Sequence, residues 1–215
     1  NGLIAISLEE GDALTWVRSS SEGDSVLIGS SKGMTIHFRL DMNELRPLGR
    51  TARGVKSMNL RDGDQLVSMD VLTSELVEQL STLNENDINA NDDLEDNLPE
   101  GPWVLVVSSF GLGKRVPVTQ FRLQKRAGMG LKAIKFRINN DVLVGLKVLG
   151  KGEEILLVTE KGVIVRTSAD KISQQSRAAT GVKLQKLDQG DHLAEVVLVP
   201  HEQIDDENIQ NMNNN

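Results

Sequence analysis

Cysteine and tyrosine are both absent from this 215-residue chain, and aromatic residues make up only 3% of it. The first absence excludes a disulfide framework, a thiolate metal site and a cysteine nucleophile. The second excludes a tyrosyl nucleophile here, so such chemistry would belong to another chain or another region. Scarce aromatics argue against single-strand nucleic-acid binding by base stacking. A nucleic-acid partner would then be duplex, held through its phosphates. No apolar run approaches the roughly 18 residues that span a bilayer, and no basic-then-apolar leader opens the chain. A cytoplasmic location is expected. The start on Asn rather than Met predicts an excised piece of a longer protein.

Positive charge is also in overall deficit, with a formal net charge of −7. Its distribution reverses that impression. Residues 73–101 hold nine carboxylates and no Lys or Arg, and residues 201–215 hold four and none. Setting those aside leaves 18 acids against 24 bases, about +6 on the patterned remainder, which suits a phosphate-binding surface.

What the chain does contain is repetition. An Arg-x-x-x-Gly turn falls at Arg50/Gly54, Arg126/Gly130 and Arg177/Gly181, and Gly2 stands where a fourth copy would have its glycine. An Asp closes the next turn at Asp12, Asp64, Asp141 and Asp191, and a hairpin glycine recurs at Gly33, Gly111 and Gly162. The intervals are near 51 residues, except one that is about 26 longer and always contains 73–101. The acidic stretch is therefore an insertion inside one repeat, with a short helix expected over 74–83 and a loop beyond it.

Between these landmarks lie short β-like segments such as "LIAISL", "VLIGS", "MTIHF", "VKSMNL", "WVLVVS", "LKAIKF", "ILLVT" and "VKLQKL". Many alternate apolar with polar residues, which turns one face inward. Gly-Asp and Lys-Gly punctuation supplies the tight turns. Four strands per unit of about 50 residues is the arithmetic of a propeller-like blade array. The predicted fold is all-β, a partial propeller of about three and a half four-stranded blades over residues 1–200, interrupted by 73–101 and followed by an acidic, Asn-rich tail at 201–215.

Several motifs resolve into turns. "GSSKG" at Gly29–Gly33 has the spacing of a hydrolase elbow around Ser31, but "MTIHF" after it reads as a strand where the elbow needs a helix. "FGLGKRV" fails as a phosphate loop, since Ser108 and Arg115 occupy its first Gly and its Ser/Thr position. "DINANDDLEDNL" from Asp87 fails as a calcium loop at Asp92 and Leu98. His37, His192 and His201 lack metal-ligand spacing and read as surface or strand-face residues. No metal and no cofactor are expected in this segment.

Basic residues cluster at the repeated turns and carry the remaining functional signal. Arg46, Arg50, Arg53 and Lys56 surround the first complete turn. Lys114, Arg115, Arg122, Lys125, Arg126 and Lys132 surround the second, and Arg177 and Lys183, with Lys186, the third. For any single Arg, bonding carbonyls between blades is as good a reading as contacting phosphate. For the set, a duplex-binding rim is expected.

The segments "GLIAISLEEGDALTWV", "LGRTARGVKSMNLRDGDQLVSM", "SSFGLGKRVPVTQFRLQKRAGMGLKAI" and "TEKGVIVRTSADKISQQSRAATGVKLQKL" closely resemble successive blades of the C-terminal domain of the A subunit of bacterial DNA gyrase. The related topoisomerase IV domain is the competing match. The resemblance implies a β-pinwheel whose blades exchange strands and whose basic rim wraps double-stranded DNA without sequence preference. It implies a gyrase holoenzyme of two A and two B subunits, in which ATP and Mg²⁺ serve negative supercoiling in the bacterial cytoplasm, at the nucleoid. The family's signature Gln-Arg-Arg-Gly-Gly-Lys-Gly has only an imperfect echo here, "QKRAGMG" at 124–130, with Met129 in place of its Lys. Two other classes remain open from the residues alone. A protein-docking propeller would present apolar patches, and a propeller hydrolase would need converging carboxylates.

Overall fold

The computed structural model describes residues 2–78 and 101–199. Among them run eleven strands: β1 (Ser25–Ser30), β2 (Met34–Arg39), β3 (Leu66–Leu72), β4 (Trp103–Ser108), β5 (Leu112–Pro117), β6 (Leu131–Lys132), β7 (Leu143–Leu149), β8 (Glu154–Thr159), β9 (Ile164–Ser168), β10 (Val182–Lys183) and β11 (Leu193–Val199). The fold is all-β, with single 3-10 turns at Val118–Gln120 and Ala169–Lys171. No helix among the described residues is long and apolar enough to cross a membrane.

Three antiparallel hairpins, β1–β2, β4–β5 and β8–β9, lie at equivalent places in successive repeats. Each gains an inner strand from further along its own repeat, giving the pairs β1–β3, β4–β7 and β8–β11. Two sheets are completed by a strand from the following repeat. β6 pairs with β2 at Met34 and Thr35, and β10 pairs with β5 at Leu112 and Gly113. The sheet orders are β3-β1-β2-β6, β7-β4-β5-β10 and β11-β8-β9. Blades thus exchange strands along the chain.

Packing follows the burial pattern. β4 is buried at every position because a sheet covers each of its faces. Val104 and Val106 enter a core shared with Leu27, Leu72 and Leu146 of the first and second sheets. Leu105 and Val107 enter the core shared with Ile155, Leu157 and Val196 of the third. β8 alternates half-buried and buried, the period-two signature of a strand with one covered face. The main cores therefore lie between blades. β7 packs between β3 and β11, with Ser68 Oγ donating to the Leu146 carbonyl at 2.8 Å, so these three strands are the inner ones. β6 and β10, at the opposite ends of their sheets, are the outer ones.

Some expected strands do not form as expected. "LIAISL" and "VKSMNL" carry no assigned strand, and "LKAIKF" and "VKLQKL" are reduced to Leu131–Lys132 and Val182–Lys183. These segments cross from one blade to the next and bond to turns at scattered positions, which leaves no continuous ladder. The helix expected over 74–83 is present over 74–78. Asp24 accepts from its first N–H, that of Ser74, at 2.8 Å, and Val77 is buried in the core between the first two sheets. The loop read against a calcium motif from Asp87, His201 and the tail lie outside the described residues.

Truncation in an inter-blade core should be costly. Leu105→Ala removes a fully buried side chain and is expected to lower stability by about 2–5 kcal/mol. Leu48→Ala, at a site 42% exposed, should change it by no more than about 0.5 kcal/mol. Urea denaturation followed by circular dichroism checks both.

Candidate nucleic-acid interface

The repeated turns stand just before the outer strands, and backbone chemistry fixes them there. Gly130 and Gly181 have φ of 75° and 96°, a region that L side chains rarely adopt. A Cβ on Gly130 would lie 2.5 Å from the Thr35 carbonyl oxygen, and one on Gly181 2.7 Å from that of Gly113. Only glycine lets the exchanged segment press so close to β2 and β5. The remaining turn glycines, Gly33, Gly54, Gly111 and Gly162, share the positive φ, whereas Gly2 does not.

Consecutive turns are tied by contacts that themselves repeat. The N–H groups of Ser7, Asn59 and Lys135 donate to the carbonyls of Ala52, Gly128 and Ala179 at 3.2, 2.8 and 3.2 Å. Each donor sits five residues after one turn's glycine, and each acceptor lies in the next turn. The arginines repeat in the same way. Arg126 donates to the Lys56 carbonyl at 2.6 Å, and Arg177 to that of Lys132. Both acceptors lie two residues past a turn glycine. The Arg126 and Arg177 backbone N–H groups donate to the side chains of Glu44 and Gln120 at 3.0 and 2.7 Å. Arg126 Nε reaches the Glu44 carbonyl as well, at 2.8 Å.

Four of the thirteen basic residues singled out from the sequence are therefore engaged internally. Besides Arg126 and Arg177, Arg115 forms an ion pair with Asp170 at 3.1 Å, donates to the Ile172 carbonyl at 2.9 Å and lies over the Trp103 ring at 4.4 Å. Lys114 is completely buried. Its Nζ donates to the carbonyls of Ser176, Arg177 and Ala179 at 2.8, 2.6 and 2.6 Å. All three ammonium hydrogens are thus bonded to the turn that carries Arg177, and Lys114 belongs to the interior rather than to a phosphate-facing surface. Burial, and then the positive Arg177 beside it, lower its pKa to about 7.

The other nine, Arg46, Arg50, Arg53, Lys56, Arg122, Lys125, Lys132, Lys183 and Lys186, are all exposed. They lie on the turns, on the outer strands or on the segments leading to them. Arg53 meets Glu9 at 3.1 Å, with the two side chains 71% and 65% exposed, so solvent leaves that pair little strength. Lys135 and Arg137, on the segment that follows β6, extend the set; they lie five and seven residues past the turn glycine, where Lys186 and Arg61 stand in other repeats. Burial, followed by repulsion from Arg122, lowers the Arg177 pKa.

The repeated aspartates serve the hairpin tips of the blades. Asp64 accepts from the Ser30 and Ser31 hydroxyls at 2.7 and 2.8 Å and from the Lys32 N–H at 2.9 Å. Asp141 accepts from Ser108, Ser109 and the Phe110 N–H at 2.8, 2.9 and 3.1 Å. Each clamps a hairpin tip to the loop before the inner strand. Ser31 thus bonds an aspartate, with a strand after it, and is no hydrolase nucleophile. Among the described residues no group of three His, Asp or Glu side chains converges as a metal site. His37 is buried rather than on the surface. Its Nδ1 donates to the Phe121 carbonyl and its Nε2 accepts from the Ser25 hydroxyl, both at 2.7 Å. Burial lowers its pKa below the ordinary imidazole value.

Burial alone would raise the Asp64 pKa, but bonds from Ser30, Lys32, Ser31 and Gln65 outweigh it and hold the carboxyl below its ordinary value. A depressed carboxylate contributes stability that is present above the unfolded value and lost as pH falls through the folded one. Asp64→Asn should lower stability at neutral pH by about 1–2 kcal/mol, since buried hydroxyls lose a charged acceptor. It should also flatten the loss of stability below about pH 4. Thermal unfolding across an acid series checks both.

The model of the family "DNA gyrase C-terminal domain, beta-propeller" matches residues 1–21, 24–73, 102–149 and 153–200. The matched ranges pass over 74–101 and stop at 200. The DNA gyrase A subunit of a Synechocystis strain is 53% identical over 206 residues, covering 93% of this chain and 24% of that protein. Its counterpart in Staphylococcus epidermidis is 37% identical over 202 residues, covering 94% of this chain and 20% of that protein. The chain thus spans about a quarter or less of the length of these relatives. Among solved structures, a DNA gyrase A C-terminal domain superposes with TM-score 0.69 at 27% identity, over 93% of this chain and 58% of that one. The C-terminal domain of a DNA topoisomerase IV reaches TM-score 0.75 at 21% identity, over 97% and 57%, a likeness of fold. With its blade-to-blade strand exchange and its repeated Arg-x-x-x-Gly turns, this chain belongs to the DNA gyrase C-terminal domain, beta-propeller family.

Proposed function

We propose that this domain binds duplex DNA along its outer edge and, as part of a longer protein, wraps it to support supercoiling by a DNA gyrase. One observation carries the reading. Exposed cations stand on the turns and outer strands of consecutive blades, and those turns are tied to one another by repeated bonds. Their charges are therefore held along one edge. Phosphate contacts of this kind carry no base readout, so binding is indifferent to sequence and sensitive to salt.

The parent protein, on this reading, is the A subunit of the gyrase, working with a second copy of itself and with two B subunits in the bacterial cytoplasm. Its relatives are named for the gyrase A protein, which favours gyrase over topoisomerase IV. DNA cleavage and ATP hydrolysis with Mg²⁺ belong to parts of the holoenzyme other than this domain. The acidic stretch at 73–101, inserted within one repeat, and the tail at 201–215 carry charge opposite to that of the basic turns.

Two measurements test the proposal. Fluorescence anisotropy with a labelled duplex should show affinity falling steeply with salt, with a log–log slope of about −0.9 per phosphate neutralised. Replacing Arg122, Lys132 and Lys183 together by Ala should make that slope shallower by about 0.9 for each phosphate no longer neutralised. Religation of a nicked circle on the complete domain should then change its linking number. An affinity independent of salt, or an unchanged linking number, overturns the reading.

A further inference from the structure

At the third position after the hairpin glycine, the first sheet has Ile36 and the third has Val165, while the second has Lys114. Ile36 is fully buried, and its methyl lies beside Gly128 of the following turn. The fold thus uses this position to support the turn that arrives from the next repeat. In the second sheet a charged group does the supporting. Three carbonyls of the turn, those of Ser176, Arg177 and Ala179, converge on the buried ammonium at 2.6–2.8 Å. The same turn carries the Arg177 guanidinium to the Lys132 carbonyl and leads into β10 with its exposed Lys183.

We propose that Lys114 is a positioning residue for the DNA-binding rim, its buried ammonium setting the turn that presents Arg177 and Lys183, and that its protonation is coupled to duplex binding. This rests on the duplex-binding reading above. The charged groups around it are Arg177 on the gripped turn, Arg115 on its own strand with Asp170 as partner, Lys183 on β10, and Arg122, which faces Arg177. Among the described residues no carboxylate pairs with Lys114. A neutral amine would have two N–H donors for three carbonyls and would turn its lone pair toward the third. Deprotonation therefore loosens the grip and removes a positive charge behind the turn. With burial holding the ammonium near pH 7, both effects fall within the neutral range. A phosphate brought to this turn favours the ammonium, and by reciprocity the ammonium favours the phosphate.

The test follows Lys114 directly in the whole chain. Lysine side-chain resonances are titrated by NMR with and without a short duplex, using Lys114→Arg to assign the signal, while duplex affinity is measured from about pH 6 to about pH 8.5. The wild-type chain should lose about fivefold in affinity as pH rises, with the Lys114 midpoint moving up by about 0.7 pH unit on binding, since linkage fixes one from the other. Lys114→Met should bind more weakly at the acid end and show no such loss; its circular dichroism spectrum reports whether it folds. The titration of the wild-type protein needs no variant to fold. A Lys114 midpoint near that of a free lysine, a midpoint that does not move while duplex binds, or a Met variant with the wild-type pH profile overturns the inference. If no duplex binds at any pH, the underlying DNA-binding reading falls instead.

Discussion

The guanidinium of one turn bonded to a carbonyl of the turn before it is the interaction on which the outer edge depends. Arg126 reaches Lys56 and Arg177 reaches Lys132, in each case two residues past a turn glycine. A guanidinium suits this task because its donors form a rigid planar fork. Arg126 uses two of them at once, on Lys56 and Glu44. A flexible ammonium at the same place would hold neither the spacing nor the orientation. The chain runs 76 residues between Arg50 and Arg126 and 51 between Arg126 and Arg177, yet the backbone bond from five residues past one glycine to the next turn is the same at both steps. The acidic insertion in the longer interval does not enter it. Contacts across space, not the length of chain between them, determine where successive turns sit.

Much of this architecture is legible in the sequence because its constraints are local. A positive φ at a hairpin leaves a glycine in the text, and a buried strand leaves a run such as "WVLVVS". The period follows from both. The extent of the outer strands is not legible, because "VKSMNL" and "VKLQKL" alternate like strands while bonding mostly to turns of a neighbouring repeat. Alternation reports which side chains face inward; it does not report whether a ladder partner runs alongside.

The candidate site divides in the same manner. That the turns are basic can be read directly, and that Arg126 and Arg177 bond between blades is half legible, since an arginine repeated with its glycine has a structural reason to persist. Lys114 and Arg115 mislead through adjacency, two basic residues near a turn. A signal is nonetheless present, because aligning the hairpin glycines places Lys114 against Ile36 and Val165, both apolar. A charged residue in an apolar register is either a clash or a clamp, and the three converging carbonyls make it a clamp. Lys135 and Arg137 escape a reading centred on the turns for the opposite reason, lying five and seven residues past the turn glycine, although Lys186 and Arg61 hold the same places in other repeats.

On the proposed duplex-binding reading, separating the carbonyl-bonded cations from the solvent-exposed ones changes what the edge could do to DNA. Smooth bending of a 20–30 base-pair site costs of order 1–6 kcal/mol, and one solvent-exposed charge pair contributes at most about 1 kcal/mol. No single turn can therefore bend DNA. A flexible array would fare little better, because ordering long side chains on loose loops would offset what each phosphate contributes. The cations bonded to carbonyls remove that obstacle. Lys114, Arg115, Arg126 and Arg177 act on backbone carbonyls, so the exposed neighbours Arg122, Lys132 and Lys183 ride on turns already fixed. Arg122 and Arg177 are also held near each other despite their like charge, a repulsion that a phosphate between them would relieve. The same residue type thus does two jobs in one short stretch: bonded to backbone carbonyls, it makes the edge rigid; left free in solvent, it gives that rigid edge its charge.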